Sequence, residues 1–162
     1  MKKKLFLDIV KENYLALMKM LEQTIKLCTD ELWSDNSINP QFWQEVFHTL
    51  YFLDYYFNED WNKRPNRFEF SGNLDKIPAT VISKEQLQAY LEEIKEKCIN
   101  RLDNLSDADL EGESSHYWTG VTLSHHLIYN IRHSQHHVGK LNFILRSNGL
   151  EAAKWIIDSN KE

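Results

Sequence analysis

Apolar residues recur every three or four positions over long stretches of this chain, and this spacing constrains its fold more than any other feature. In the first such stretch, residues 4–31, the apolar positions are Leu7, Val10, Tyr14, Leu17, Met18, Leu21, Ile25 and Cys28. This is the period of an amphipathic α-helix with one face turned to a core. With only 5 Gly and 3 Pro in 162 residues, the chain has few residues that break helices or form tight turns. The pattern predicts an all-α protein.

Three further stretches have the same period and carry signals for their ends. The helices expected are 4–31, 40–58, 83–104 and a last one from about 118–122 to 147. Asn39-Pro40 indicates the start of the second, because Asn caps helix N-termini and Pro suits the first helical position. Ser83 and Gln86 have the spacing of a capping box, and Gly149 favours a helix stop after Asn148.

Four long amphipathic helices in succession predict a four-helix bundle formed by one domain, residues 1–162. Residues 59–82 lack a sustained period, so we expect a long connection between the second and third helices. Trp61, Phe68 and Phe70 should pack this connection onto the body of the protein. It is either a simple crossover or a lid over a pocket.

The charge and the apolar runs disfavour two classes of partner. The net charge is −5, whereas nucleic-acid binding needs a basic surface, so we expect no nucleic-acid partner. Charged residues interrupt every apolar run before 18 positions, so no membrane span or signal peptide is expected. Cys28 and Cys98 lie in helical patterns far from any Cys-x-x-Cys, which favours reduced core residues and a cytoplasmic location.

The fourth helix carries five of the seven histidines of the chain. His133 and His137 are four positions apart and therefore lie on the same helix face, one turn from each other. Two imidazoles at this spacing can bind one metal ion. The pair is incomplete, because a stable metal site needs a third or fourth ligand.

The other polar residues of this helix have different expected places. His126 and Asn130 share the stripe of the pair, but His126 lies roughly 10 Å along the axis from His133. We therefore expect His126 in the second shell or in the pocket wall. His136 is turned by about 60° and is expected to pack or to contribute to the second shell. His125 and His116 are expected at the surface or at a pocket rim.

His48 lies alone in the aromatic second helix. By itself it would be interpreted as a hydrogen-bonded core histidine. Together with His133 and His137 it would complete a set of three neutral imidazoles with open positions, as in catalytic zinc sites.

With these residues, the chain resembles proteins of the DinB-like (damage-inducible) family. The family motif in the fourth helix is His-x-x-His-His-Arg-Gly-Gln-hydrophobic, and this chain has His133-Ser-Gln-His136-His137-Val138-Gly139-Lys140-Leu141. The resemblance extends over nearly the whole chain and includes a second-helix histidine, here His48. It implies a four-helix bundle, a divalent metal held by His48, His133 and His137, and a homodimer. Val138 and Lys140 depart from the motif, and we expect them to alter second-shell contacts or the dimer surface.

Function is expected to follow from an open metal site. Zinc or nickel held by three histidines can lower the pKa of a bound water or thiol to about 7. The resemblance implies a metal-dependent hydrolase or a thiol S-transferase, acting on a small molecule or with a low-molecular-weight thiol. A non-catalytic module with a structural metal is the alternative. No general base can be identified, although Glu45 and Asp54 are within reach by sequence. Tyr51, Tyr55 and Asn130 are expected to line the pocket.

Overall fold

The structure is a computed structural model that describes residues 3–58, 60, 62–68, 70–76, 80–157 and 159. The helices are α1 Lys3–Leu27, α2 Asp30–Trp33, α3 Phe42–Tyr56, α4 Lys84–Asp103, α5 Asp107–Glu111 and α6 Leu123–Ser147. Two 3₁₀ turns, Leu74–Lys76 and Tyr117–Thr119, lie before α4 and α6. The described ranges contain no strand, only one isolated bridge between Glu113 and Thr122. The all-α prediction is confirmed.

The four long helices surround one hydrophobic core. Helix α1 packs against α4 and α6, and α3 packs against the same two helices. The apolar stripe predicted for α1 lies in this core, where Val10, Tyr14, Leu21 and Ile25 are fully buried. Within the described residues, no helix is long and apolar enough to cross a bilayer. Cys28 and Cys98 are free and buried, as predicted.

Local capping signals determine several helix ends. The Ser83 hydroxyl accepts from the Gln86 backbone N–H, and the Gln86 side chain accepts from the Ser83 N–H at 3.0 Å, which confirms the predicted capping box. Gly149 has φ 75°, the left-handed conformation expected after α6. The start predicted for the second helix at Asn39-Pro40 is wrong. Helix α3 begins at Phe42, and Gln41 occupies the N-cap position with Gln44 completing a capping box.

Two short helices were not among the four predicted from the sequence. The first predicted helix ends early, at Leu27, and Thr29 caps the separate helix α2. The acidic segment after α4 contains α5, where Ser106 forms a capping box with Asp109. Helix α6 begins at Leu123 because the Thr122 hydroxyl caps it.

The chain between α3 and α4 folds back onto the helices. Phe68 and Phe70 are half-buried against the core, as predicted. The Phe68 ring meets the Phe47 ring of α3 at 5.8 Å and the Tyr90 ring of α4 at 5.7 Å. Trp61 lies outside the described residues. This return of the chain places the Gly72 carbonyl beside α3, where it contributes to the candidate site.

Candidate metal centre

Helices α3 and α6 bring three histidines to one point. His48 Nε2 lies 3.1 Å from His137 Nε2, and His137 Nε2 lies 3.2 Å from His133 Nε2. One ligand atom from each residue lies within 4.8 Å of the others, and the described residues contain no other such cluster. The lone histidine of the aromatic helix and the one-turn pair of the last helix therefore form a single group.

Antiparallel packing of α3 and α6 produces this meeting. Glu45 and His48, near the start of α3, contact His137 in the second half of α6. At the other end, the Tyr56 carbonyl accepts a hydrogen bond from His126 Nε2 at 2.7 Å. The two helices therefore run in opposite directions, and a histidine early in α3 faces a pair in the second half of α6.

The hydrogen bonds of two rings determine which nitrogens carry protons. His48 Nδ1 donates to the Gly72 carbonyl at 2.5 Å, and His137 Nδ1 donates to Glu45 Oε1 at 2.5 Å. Because a neutral imidazole has one N–H, both facing Nε2 atoms then present lone pairs. A proton on His133 Nε2 can satisfy its contact with His137, but the 3.1 Å contact between His48 and His137 remains unsatisfied. A cation bound between the three rings would accept the lone pairs of all three Nε2 atoms.

Burial keeps two of these histidines neutral. It lowers the pKa of His48 to about 4 and that of His133 to about 3, and in both cases the neighbouring His137 lowers it further. Neutral imidazole is the form that binds metals. His48 and His133 are therefore neutral, as metal binding requires, at neutral pH and well below it.

The spacing of the donors fits a small divalent ion. Imidazole nitrogens about 2.0–2.1 Å from a tetrahedral zinc ion are about 3.3 Å apart. The two contacts between Nε2 atoms, at 3.1 and 3.2 Å, are close to this value. These two spacings fit the metal that the family resemblance implies, and the ligand atoms of His48 and His133 lie within 4.8 Å of each other.

Glu45 is the residue that sequence reasoning weighed but did not place. It is fully buried, and its Oε1 atom accepts from His137 Nδ1 at 2.5 Å and from Lys140 Nζ at 2.8 Å. Burial alone would raise the pKa of its carboxyl, but the hydrogen bonds from His137 and Lys140 outweigh burial and lower it. The available signal was a carboxylate three positions before His48 in a helix that is mostly apolar.

Asp54, the other carboxylate considered as a base, is engaged elsewhere. Its carboxylate accepts from the Tyr90 hydroxyl at 2.7 Å and pairs with Lys97. Both partners belong to α4, so Asp54 links α3 to α4 and is not part of the histidine cluster.

Aromatic rings surround the cluster. The Phe52 ring lies 4.8 Å from the His48 ring and 5.4 Å from the His133 ring. Tyr129 lies nearly parallel to His133 at 6.2 Å, and Tyr56 meets it edge-on at 5.9 Å. Sequence reasoning did not single out Phe52, Tyr56 or Tyr129, although Phe52 and Tyr129 each lie four positions or fewer from a histidine in their helices.

The residues expected to line the pocket are distributed around this group. Tyr51 is buried and its ring lies against Gly72, where an added Cβ would come within 2.3 Å of it. Tyr55 is buried with its ring 4.9 Å from His116. Asn130 is buried and its side-chain oxygen accepts a 3.4 Å hydrogen bond from the Ser134 hydroxyl.

The remaining histidines separate into a buried pair and two exposed residues. His126 Nδ1 pairs with the Thr119 hydroxyl at 2.8 Å, and its ring stacks on His116 at 4.6 Å. The expectation that His116 lies at the surface is wrong, because the turn before α6 buries it completely. His125 is exposed, as expected. His136 is exposed, with its ring centroid 5.2 Å from that of His137.

One comparison with known proteins identifies a relationship. The chain matches a family model described as the DinB superfamily over residues 14–141, a range that includes all three clustered histidines. No curated protein and no solved structure matches the chain.

Proposed function

Because the chain belongs to the DinB superfamily, we propose that it binds one divalent metal ion, zinc or nickel, through His48, His133 and His137. The observation that carries the proposal is the convergence of three Nε2 atoms from two helices. Two of these rings already use their other nitrogen as a donor to the protein. Neutral imidazole is a ligand that suits both metals.

The bound ion serves a reaction on a small molecule, either hydrolysis or transfer of a low-molecular-weight thiol. With three imidazole ligands and an open position, such an ion lowers the pKa of a water or thiol that reaches it to about 7. No fourth ligand from a His, Cys, Asp or Glu joins the cluster within the described residues. His48 and His133 are only partly buried, which supports access from solvent, whereas His137 is 7% exposed.

The residues of the chain have separate tasks in this proposal. The Gly72 carbonyl and the Glu45 carboxylate orient His48 and His137 through their Nδ1 atoms. Phe52 and Tyr129, both half-buried, exclude water from the flanks of the His133 ring. No residue is assigned as general base.

Metal binding by a His133→Ala variant tests the proposal. Equilibrium dialysis against Zn²⁺, followed by elemental analysis, should give one ion per chain for the wild-type protein. The His133→Ala variant should lose the ion. His136→Ala removes a neighbouring exposed histidine and is the matched control, which should retain it. A wild-type protein without metal, or a His133→Ala variant that still binds it, would contradict the proposal.

A structural role of the metal is the second candidate, because the cluster connects α3 with α6. X-ray absorption by the zinc-loaded protein separates the two roles. Three nitrogen ligands plus an exchangeable oxygen favour a reaction at the ion. Four protein ligands favour a structural cross-link.

The wider proposal is a single-domain, DinB-like four-helix bundle in the cytoplasm that forms a homodimer and does not bind nucleic acid. The contacts of α1 and α3 with both α4 and α6 support the bundle. The net charge of −5 disfavours nucleic acid. Sedimentation equilibrium tests the dimer, and salt-sensitive DNA binding at physiological ionic strength would overturn the exclusion of nucleic acid.

A further inference from the structure

The carboxylate of Glu45 lies in a buried position, where it is stable only with suitable hydrogen-bond and charge partners. It is fully buried, and its Oε2 atom has no hydrogen-bond partner among the described residues. A buried, ionised carboxylate is costly unless it is paired and hydrogen-bonded. Its Oε1 atom has two donors, His137 Nδ1 at 2.5 Å and Lys140 Nζ at 2.8 Å. Both donors belong to α6, so the carboxylate is held entirely by the helix opposite its own.

The contact with His137 determines the direction of that ring. An imidazole whose Nδ1–H donates to a carboxylate has its Nε2 lone pair free and a fixed orientation. The Nε2 atom of His137 is the one that lies between those of His48 and His133, at 3.1 and 3.2 Å. The central donor of the cluster is therefore the one that Glu45 orients.

Lys140 supplies the compensating charge. Its side chain is 40% exposed, whereas that of Glu45 is fully buried, so the ion pair extends from solvent to the carboxylate that contacts His137. A cation here stabilises the carboxylate, but it also repels a metal ion bound one imidazole ring away. The two residues thus have opposite electrostatic effects on the site.

We propose that Glu45 is a positioning residue that holds His137 in its metal-binding tautomer, and that Lys140 moderates the charge of the centre. This inference rests on the proposed metal site. It assigns to the buried pair a role in metal affinity rather than in folding alone.

Opposite changes in zinc affinity test the inference by isothermal titration. Glu45→Ala should weaken binding roughly 10- to 100-fold, because His137 loses its orientation and the site loses a negative charge. Glu45→Gln should lose less, because the amide oxygen still accepts the Nδ1 proton. Lys140→Met should strengthen binding roughly three- to tenfold, because a nearby cation is removed.

Thermal unfolding of the metal-free variants separates positioning from damage to the fold. The exposed Glu93→Gln variant, which removes only a surface pair with Arg67, is the control and should bind zinc as the wild type does. Weaker binding by both Glu45→Ala and Lys140→Met would overturn the inference, since it would indicate general damage. Glu45→Ala binding within threefold of the wild type would overturn it as well.

A tautomer measurement does not depend on metal. Long-range ¹H–¹⁵N spectra of the metal-free protein at pH 8 should show His137 protonated at Nδ1, and Glu45→Ala should shift the proton to Nε2. An unchanged tautomer would overturn the role of Glu45. If the wild-type protein binds no zinc, the proposed function fails, while this spectrum still decides whether Glu45 orients His137.

Discussion

The Nε2 atoms of His48, His133 and His137 face one another. Hydrogen bonds among the three rings can satisfy only some of these contacts. The N–H groups of His48 and His137 are used on Gly72 and Glu45. The Nε2 atoms of the same two rings, which then carry only lone pairs, lie 3.1 Å apart. At the scale of single residues, this arrangement is the most direct evidence for a cation site.

Residue identity predicted part of this arrangement. The one-turn spacing of His133 and His137 placed them on one face, which the structure shows. His136 was expected to pack or to contribute to the second shell, and its side chain is exposed with its ring centroid 5.2 Å from that of His137. Lys140 was noted only as a departure from the family motif, and its 2.8 Å contact with Glu45 could not be predicted because Glu45 lies on another helix.

Gly72 offers a test at the same scale. An added Cβ would lie 2.3 Å from Cδ1 of the buried Tyr51 ring, so Gly72→Ala must displace the segment whose carbonyl accepts from His48 Nδ1. Because His48 loses its orienting acceptor, zinc affinity should fall roughly tenfold. Isothermal titration measures the change.

Gly139→Ala is the matched control for this substitution. An added Cβ at Gly139 meets nothing within 4 Å, although the residue lies in α6 between His137 and Lys140. Zinc affinity should stay unchanged, and the free energy of unfolding should rise by up to about 1 kcal/mol because Ala favours the helix. Equal loss of affinity in both glycine variants would contradict the role of the Gly72 carbonyl.

At the scale of elements, a polar link joins α3 to α4. Lys97 Nζ pairs with the Asp54 carboxylate and donates to the Asn58 side chain at 2.6 Å. Tyr90 donates to the other carboxylate oxygen at 2.7 Å. The Asp54 side chain is only 15% exposed, so the link is largely shielded from water.

Lys97→Met should destabilise this pairing of helices. Asp54 would keep Tyr90 as a donor but would lose its counter-charge in a shielded position, at a cost of about 1–3 kcal/mol in the free energy of unfolding. Urea unfolding measures the loss. Lys95→Met is the matched control, because its pair with Glu92 is exposed and 3.5 Å long, so a change below about 0.5 kcal/mol is expected. Similar losses in the two variants would contradict the role of the shielded link.

Helix existence was easier to predict than helix ends. Apolar periodicity identified the four long helices, because that period depends on residues within each helix. Helices α2 and α5 were missed, since four or five residues cannot show a period. Their caps, Thr29 and Ser106, were the local signals available.

The whole molecule contains a second group of histidines, whose burial links its stability to pH. Burial lowers the pKa of His116 to about 4, and the stacked His126 lowers it further. In the unfolded chain a histidine has a pKa of about 6.5. As the pH falls below 6.5, the unfolded chain therefore takes up a proton that the folded protein refuses, and stability decreases until about pH 4.

His116→Gln should reduce this acid sensitivity. From His116 alone, the free energy of unfolding of the metal-free wild type should fall by about 2 kcal/mol between pH 7 and pH 5. The variant should lack this part of the decrease in urea unfolding at the two pH values. His125→Gln changes an exposed histidine of the same region and should keep the wild-type pH dependence. Identical pH dependence of wild type and His116→Gln would show that burial of His116 does not oppose its protonation.

The sequence by itself determined the features that are local to one helix. These are the apolar stripes, the capping box at Ser83, the stop at Gly149 and the pairing of His133 with His137, because each depends on the spacing of residues along one segment. The family resemblance added His48 as an expected third ligand.

Only the tertiary structure decided which residues surround that cluster. The antiparallel contact of α3 with α6 brings Glu45 and Lys140 to His137, and the return of the chain after α3 brings Gly72 to His48. The turn before α6 buries His116. Each of these contacts joins segments distant in the sequence, and their positions follow from how whole helices pack rather than from the period of any one of them.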